Sequence, residues 1–149
     1  MAETTLRERA LRHLARRDHS RAELARKLAA HGSADEIEAV IARMGELGLQ
    51  SDTRYAEAFV RVKATRFGAA RLRNELSRRG VERELIDEAI AGECSTPEIE
   101  RARTVLHSRF PAPPTDAREW ARQARFLQTR GFASDLIRKL LKEPYDESA

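Results

Sequence analysis

Three glycines set a register that most of the chain follows. Gly32, Gly80 and Gly131 lie 48 and 51 residues apart, and each ends an arginine-rich stretch. Four positions before them stand Leu28, Leu76 and Leu127; eight before stand Leu24, Leu72 and, as the exception, Gln123. Five positions after come Ile37, Leu85 and Leu136, and nine after come Ile41, Ala89 and Leu140. Leu11 and Leu14 of the first segment align with Phe59 and Val62 of the second. Apolar residues four apart share one face of a helix. A helical frame repeated at this spacing predicts tandem units, each too small to bury its own apolar stripe. Neighbouring units must then stack, and the expected result is an elongated, curved array.

Local start and stop signals divide each unit into three helices. Ser20 and Glu23 have capping-box spacing: the Ser side chain accepts the Glu N–H while the Glu side chain accepts the Ser N–H. Ser33 and Glu36 repeat that spacing. The first unit is therefore expected to hold helices near 4–17, 21–31 and 34–47. In the second, Asp52 is the expected cap of a helix with Tyr55, Phe59 and Val62 on one face. Gly68, aligned with Ser20, begins the next helix, which ends at Gly80 as a left-handed C′ residue. A third helix is expected over 81–91. In the last unit Thr96 before Pro97 reads as an N-cap with proline at the first helical position. The run FPAPPT, 110–115, breaks the chain, because proline has no N–H to donate and restricts its predecessor. Helices near 116–130 and 133–142 complete the pattern. No segment alternates like a strand. The fold class is all-α, three tandem three-helix repeats over residues 1–50, 51–93 and 94–149.

Composition narrows the function more by exclusion. The single Cys94 rules out an internal disulfide framework and a Cys-based zinc site. His13, His19, His31 and His107 lack paired metal-ligand spacing. No paired carboxylates, phosphate loop or nucleophile–base pairing points to catalysis, so neither enzymatic activity nor a cofactor is expected. No apolar run is long enough to span a bilayer, and the first residues do not resemble a signal peptide, so a cytoplasmic protein is expected.

Charge is informative in its placement rather than its net value of +4. Residues 61–79 hold seven bases and one acid, Glu75, whereas 81–93 hold five acids and one base, Arg83. The segregation predicts a partner surface on the middle helices of units two and three. Arg71 and Arg78 are one heptad apart, away from Leu72 and Leu76. Arg118, Arg122 and Arg125 share a face by the same periodicity, and Arg71 and Arg122 both stand nine before a register glycine. The candidate partner-binding residues are thus Arg61, Lys63, Arg66, Arg71, Arg73 and Arg78, then Arg118, Arg122 and Arg125. The competing account is that these arginines are solvated and paired locally, for example Arg54 and Arg61 with Glu57.

Four segments carry a resemblance to a known family: ALRHLARRDHSRAELARKL (10–28), LGLQSDTRYAEAFV (47–60), FGAARLRNELSRRGV (67–81) and FLQTRGFASDLIRKLL (126–141). Together they resemble the bacterial RecX regulatory proteins, which modulate the RecA recombinase. Two positions depart from the family pattern: Ala69 stands where proline is common, and Leu49-Gln50-Ser51-Asp52 replaces a Tyr-Leu-Asp-Asp-like turn. The resemblance implies a monomeric protein that binds RecA–DNA filaments, in the groove or at the end, and inhibits recombinase and coprotease activity. Weak nonspecific contact with single- or double-stranded DNA is an accessory expectation; no membrane partner is implied. The alternative is a winged-helix-like DNA-binding module over residues 20–50. That reading requires a β-hairpin where SDTRYAEAFVRV reads as helix, and its recognition helix would open on Asp35, Glu36 and Glu38, which repel phosphate.

Overall fold

A computed structural model describes residues 3–142. Among them are nine α-helices and no strand: α1 (Leu6–Arg16), α2 (Arg21–Leu28), α3 (Ala34–Glu46), α4 (Asp52–Lys63), α5 (Ala69–Arg78), α6 (Arg83–Glu93), α7 (Glu98–Arg109), α8 (Ala117–Thr129) and α9 (Ser134–Leu141). They pack in threes around separate cores. Ala10, Leu24, Leu28, Ile37, Ile41 and Met44 fill the first. Tyr55, Ala56, Val60, Leu72, Leu76 and Ile86 dominate the second, and Ala102, Leu106, Leu127, Phe132 and Ile137 the third. Extensive helix packing is confined to each trio. The molecule is therefore a series of units rather than one collapsed globule.

Units meet at helix ends, and the two joints share one design. The Ser20 hydroxyl accepts the Glu23 N–H at 3.1 Å and donates to the Arg79 carbonyl at 2.6 Å. The N-terminus of α2 thus abuts the C-terminal end of α5. In the second joint Gly68 N–H donates to the Arg130 carbonyl at 2.7 Å and Ala70 N–H to the Gly131 carbonyl at 3.2 Å. The N-terminus of α5 accordingly abuts the end of α8. The first helix of the following unit contributes a carboxylate each time. Asp52 accepts from Arg21 N–H at 2.8 Å, and Glu98 accepts from Ala69 N–H at 2.9 Å. Unsatisfied donors at one helix start therefore meet acceptors at the next helix end, and the macrodipoles oppose unlike charges. A further strut is Arg101, whose guanidinium caps the end of α4 through the Phe67 carbonyl at 2.7 Å and the Ala64 carbonyl at 3.3 Å.

These joints explain the glycines. Gly80 and Gly131 have φ of +83° and +93°, and a Cβ at either would collide with Ala22 or Arg71 across the joint. The turns close as Schellman motifs, Val81 N–H to Leu76 and Phe132 N–H to Leu127. Gly32 is not among the positive-φ glycines. Among the described residues no other helix start docks on the end of α2. Its turn is one residue shorter, and α3 starts two residues after its glycine where α6 and α9 start three after theirs. The downstream register consequently slips by one: the buried equivalents of Ile37 are Ile86 and Ile137, not Leu85 and Leu136.

Other local expectations need correction. Ser51, not Asp52, caps α4, accepting Arg54 N–H at 3.2 Å. Asp52 is instead spent on the joint. Pro97 itself occupies the N-cap of α7, so Thr96 does not cap it. Val62 is exposed, whereas Val60 is buried in its place. Gln123, the polar exception in the leucine frame, is buried and donates to the Ala112 carbonyl at 3.2 Å, pinning the proline-rich 110–115 segment.

Candidate partner-docking face

The third unit gathers the basic residues most completely. Asp116 caps α8 by accepting Glu119 N–H at 2.8 Å, which aligns Arg118, Arg122 and Arg125 on one face. The proline-rich turn lays the end of α7 beside them. Phe110 meets Phe126 edge-to-face with centroids 5.5 Å apart. The Arg122 guanidinium lies 5.7 Å from the Phe110 ring and that of Arg130 5.0 Å from the Phe126 ring. The resulting cleft, about 780 Å³, is lined by Arg109, Arg118, Arg122, Arg125 and Arg130 with Phe110 and Phe126, and by no carboxylate. None of these five arginines forms an ion pair among the described residues.

A second cleft of about 640 Å³ straddles the first joint, lined by Glu23, Arg26, Lys27, Glu75, Arg78 and Arg79. Counted from the register glycines, Glu23 and Arg26 are equivalent to Arg122 and Arg125, and Arg79 to Arg130. Both clefts therefore occupy the same face of the repeat. Their electrostatics differ. Burial raises the Glu23 pKa, but the Ser20 N–H, the Tyr55 hydroxyl and Arg17 outweigh it and hold the carboxyl below its ordinary value. Arg79 is shifted upward, chiefly by its 2.8 Å hydrogen bond to the Tyr55 hydroxyl. The second cleft thus presents fixed charges of both signs.

The sequence-selected residues separate into groups. Arg118, Arg122 and Arg125 converge in the first cleft, and Arg78 lies in the second. Arg71 belongs to the second joint: it bonds Glu75 at 3.1 Å and the Thr129 carbonyl at 3.2 Å, with its guanidinium 3.9 Å from the Phe67 ring centroid. Arg61 makes a two-pronged pair with Glu93 at 3.1 and 2.9 Å, rather than pairing with Glu57. Arg73 bonds Asp87 at 3.0 Å, and Arg54 bonds the Gly48 and Leu49 carbonyls and Asp18. Lys63 and Arg66 line neither cleft; the Arg66 guanidinium lies 5.8 Å from the Phe67 ring. Sequence reasoning missed Arg109, Arg130, Arg26, Lys27 and Arg79. The register could have found Arg79 and Arg130, which both immediately precede a glycine. Arg109 carries no such signal, since only the turn of 110–115 brings it to α8.

Where a winged helix would require its hairpin, residues 52–63 form α4. No helix among the described residues is long and apolar enough to cross a membrane.

Comparison with known proteins agrees with this architecture. Family models described as the first, second and third three-helix domains of RecX match residues 7–44, 51–90 and 97–141. The chain is 49% identical over 139 residues to the regulatory protein RecX of Leptothrix cholodnii, covering 93% of this chain and 88% of that one. It is 43% identical to that of Chromohalobacter salexigens, covering 98% and 97%. The crystal structure of RecX from Lactobacillus salivarius superimposes with a TM-score of 0.78 over 93% of this chain and 94% of that one, at 23% identity. With three cores in series, three matching domain models and close relatives along nearly its whole length, this chain belongs to the RecX family of regulatory proteins.

Proposed function

We propose that this protein binds RecA–DNA filaments and restrains their recombinase and coprotease activity, as a cytoplasmic monomer without cofactor or catalytic chemistry of its own. The observation that carries the reading is the face shared by α2, α5 and α8. It holds two clefts, and one of them concentrates five arginines that form no ion pair among the described residues, with no carboxylate in its lining. A uniformly cationic recess is costly to maintain unless an anionic surface fills it, and such a surface is what a nucleoprotein filament offers. Docking in the filament groove or at its end would oppose strand exchange by occlusion.

The test is cosedimentation with preassembled RecA filaments, together with inhibition of strand exchange. Reversal of Arg78, Arg118 and Arg125 to Glu changes exposed side chains that make no ion pair among the described residues, so folding should survive. Arg71 is unsuitable, because its replacement would open a joint. Reversal of Arg7 and Arg12 on α1, which lie outside both clefts, is the comparison. Cosedimentation and inhibition should fall strongly in the first protein and little in the second. They should also weaken with salt, since exposed charges are screened beyond about 8 Å at physiological ionic strength. A folded triple variant that inhibits as well as the wild type would refute this docking face.

A further inference from the structure

A third recess lies on another face of the first unit. Glu23 and Arg26, which line the cleft at the first joint, each come one residue after Ala22 and Ala25, about 100° further around α2. Ala22, Ala25 and Ala29 form one wall of a groove of about 630 Å³ between α2 and α3, with Ile37 and Ile41 of the first core at its base. The carboxylates of Glu38, Asp52 and Glu82 stand on its rim. Arg21, the one base among the described lining residues, is already held by Glu38 at 3.4 Å. The groove is therefore apolar inside and acidic at its edge, the reverse of the arginine cleft on the third unit.

The other two units cover the same position with their own side chains. Arg73 stands seven before Gly80, as Ala25 stands seven before Gly32, and it crosses from α5 to α6 to pair with Asp87 at 3.0 Å. Asp87 follows the buried Ile86 as Glu38 follows the buried Ile37. In unit three Trp120, equivalent to Arg21, lies partly buried on α8 and donates its indole N–H to the Lys142 carbonyl at 2.9 Å, just past the end of α9. A guanidinium and an indole are thus what this fold places between a middle and a third helix. In unit one Ala25 leaves the space open. An apolar recess rimmed by polar groups marks a docking site. We propose that the groove of unit one receives a basic amphipathic helix of a protein partner, its apolar ridge against the alanines and its lysines or arginines against Glu38, Asp52 and Glu82. Ala22 to Ala29 span about 10 Å of axial rise, room for about two turns of such a helix. Alanine side chains let a second helix approach closely, and docking of this kind uses apolar anchors three and four residues apart. A polyanion would be repelled by the three carboxylates. The groove stands on a different face of α2 from the filament-docking clefts and uses none of their arginines.

The experiment titrates the full chain into a fluorescein-labelled peptide of leucine, lysine and alanine, patterned as an amphipathic helix, and follows anisotropy. A mirror peptide with glutamate in place of lysine is the charge comparison. The wild type should bind the lysine peptide about tenfold or more tightly than the glutamate peptide, and less tightly as salt rises. Ala25→Arg gives unit one the side chain that covers the groove in unit two, and should weaken binding about tenfold or more. Ala29→Gln obstructs the exposed end of the groove without adding charge and should also weaken binding, which keeps the test decisive if Ala25→Arg does not fold. Ala91→Arg, at an exposed site on the last turn of α6, makes the same change in net charge as Ala25→Arg and should leave affinity nearly unaltered. Three results would overturn the assignment. They are no binding of the lysine peptide at low salt, equal affinity for the two peptides, and equal losses in Ala25→Arg and Ala91→Arg. Self-association of the wild type that Ala25→Arg abolishes would assign the groove to a second copy of the chain instead. Filament cosedimentation keeps this inference apart from filament docking, because folded Ala25→Arg should sediment with filaments as the wild type does. Loss of that sedimentation would make the groove part of the filament face and overturn a separate partner.

Discussion

Replacement of Ser20 by Ala probes the joint between the first two units. The hydroxyl is completely buried and makes two bonds in different directions. It accepts the Glu23 N–H within its own helix and donates to the Arg79 carbonyl in the next unit. Loss of an N-cap costs about 0.5–2 kcal/mol. Stranding the Arg79 carbonyl, which the new methyl group shields from water, adds about 1–2 kcal/mol. The total should be about 1.5–4 kcal/mol. Ser33→Ala supplies the internal reference. That capping box has nearly the same geometry, 3.0 and 3.2 Å, but is exposed, and its two hydrogen bonds stay within three residues. It should lose only about 1 kcal/mol. Urea titrations followed by circular dichroism measure both, with the m-value checked for loss of cooperativity between units. The informative quantity is the difference between the two variants. If Ser20→Ala costs no more than Ser33→Ala, the hydrogen bond to Arg79 does not hold the units together, and the head-to-tail account of the joint is wrong.

Other outcomes follow from the same geometry. Gly131→Ala forces a side chain into a residue with φ of +93° and drives Cβ against the backbone of Arg71. The left-handed conformation alone costs about 1–2 kcal/mol. The collision should separate units two and three, so amide exchange at Gly68 and Ala70 should accelerate; unchanged protection there would refute the joint. The buried His19 should impose a pH dependence. Burial pushes its pKa below the ordinary 6.5; the Arg17 carbonyl partly opposes that shift, and the charges of Arg17 and Lys27 reinforce it. The unfolded chain thus takes up this proton at higher pH than the folded one. Stability is full above pH 6.5 and declines as pH falls below it. His19→Gln should flatten the profile between about pH 7.5 and about pH 5.5, where histidine titrates. A mutant profile parallel to that of the wild type would show that another group titrates.

How much was legible in the sequence follows from the range of each interaction. Ser20 and Ser33 announce their helices because capping boxes close within three residues, and both boxes form in the structure. The leucines four before each glycine are wholly buried in all three units, because helical periodicity alone places them inward. The alignment of Arg118, Arg122 and Arg125 was legible for the same reason. Helix number, unit number and the basic face of α8 are therefore local properties, determined by the sequence itself.

Tertiary structure decided what lies at the ends of those helices. Asp52 looked like a cap for its own helix; it serves one whose N–H lies 31 positions earlier. Arg71 shares a helix face with Arg78, yet a carbonyl 58 residues away and the Phe67 ring hold it at a joint. Arg61 finds Glu93 at a separation of 32 residues instead of nearby Glu57. A long guanidinium stem has several carboxylates within reach of any local plan, and packing between helices chooses among them. Gly32 shows the same limit in the backbone. It matches Gly80 and Gly131 in sequence, but only those two adopt a left-handed turn with the preceding unit packed against them. Glycine permits that conformation, and the neighbouring unit leaves no room for a Cβ.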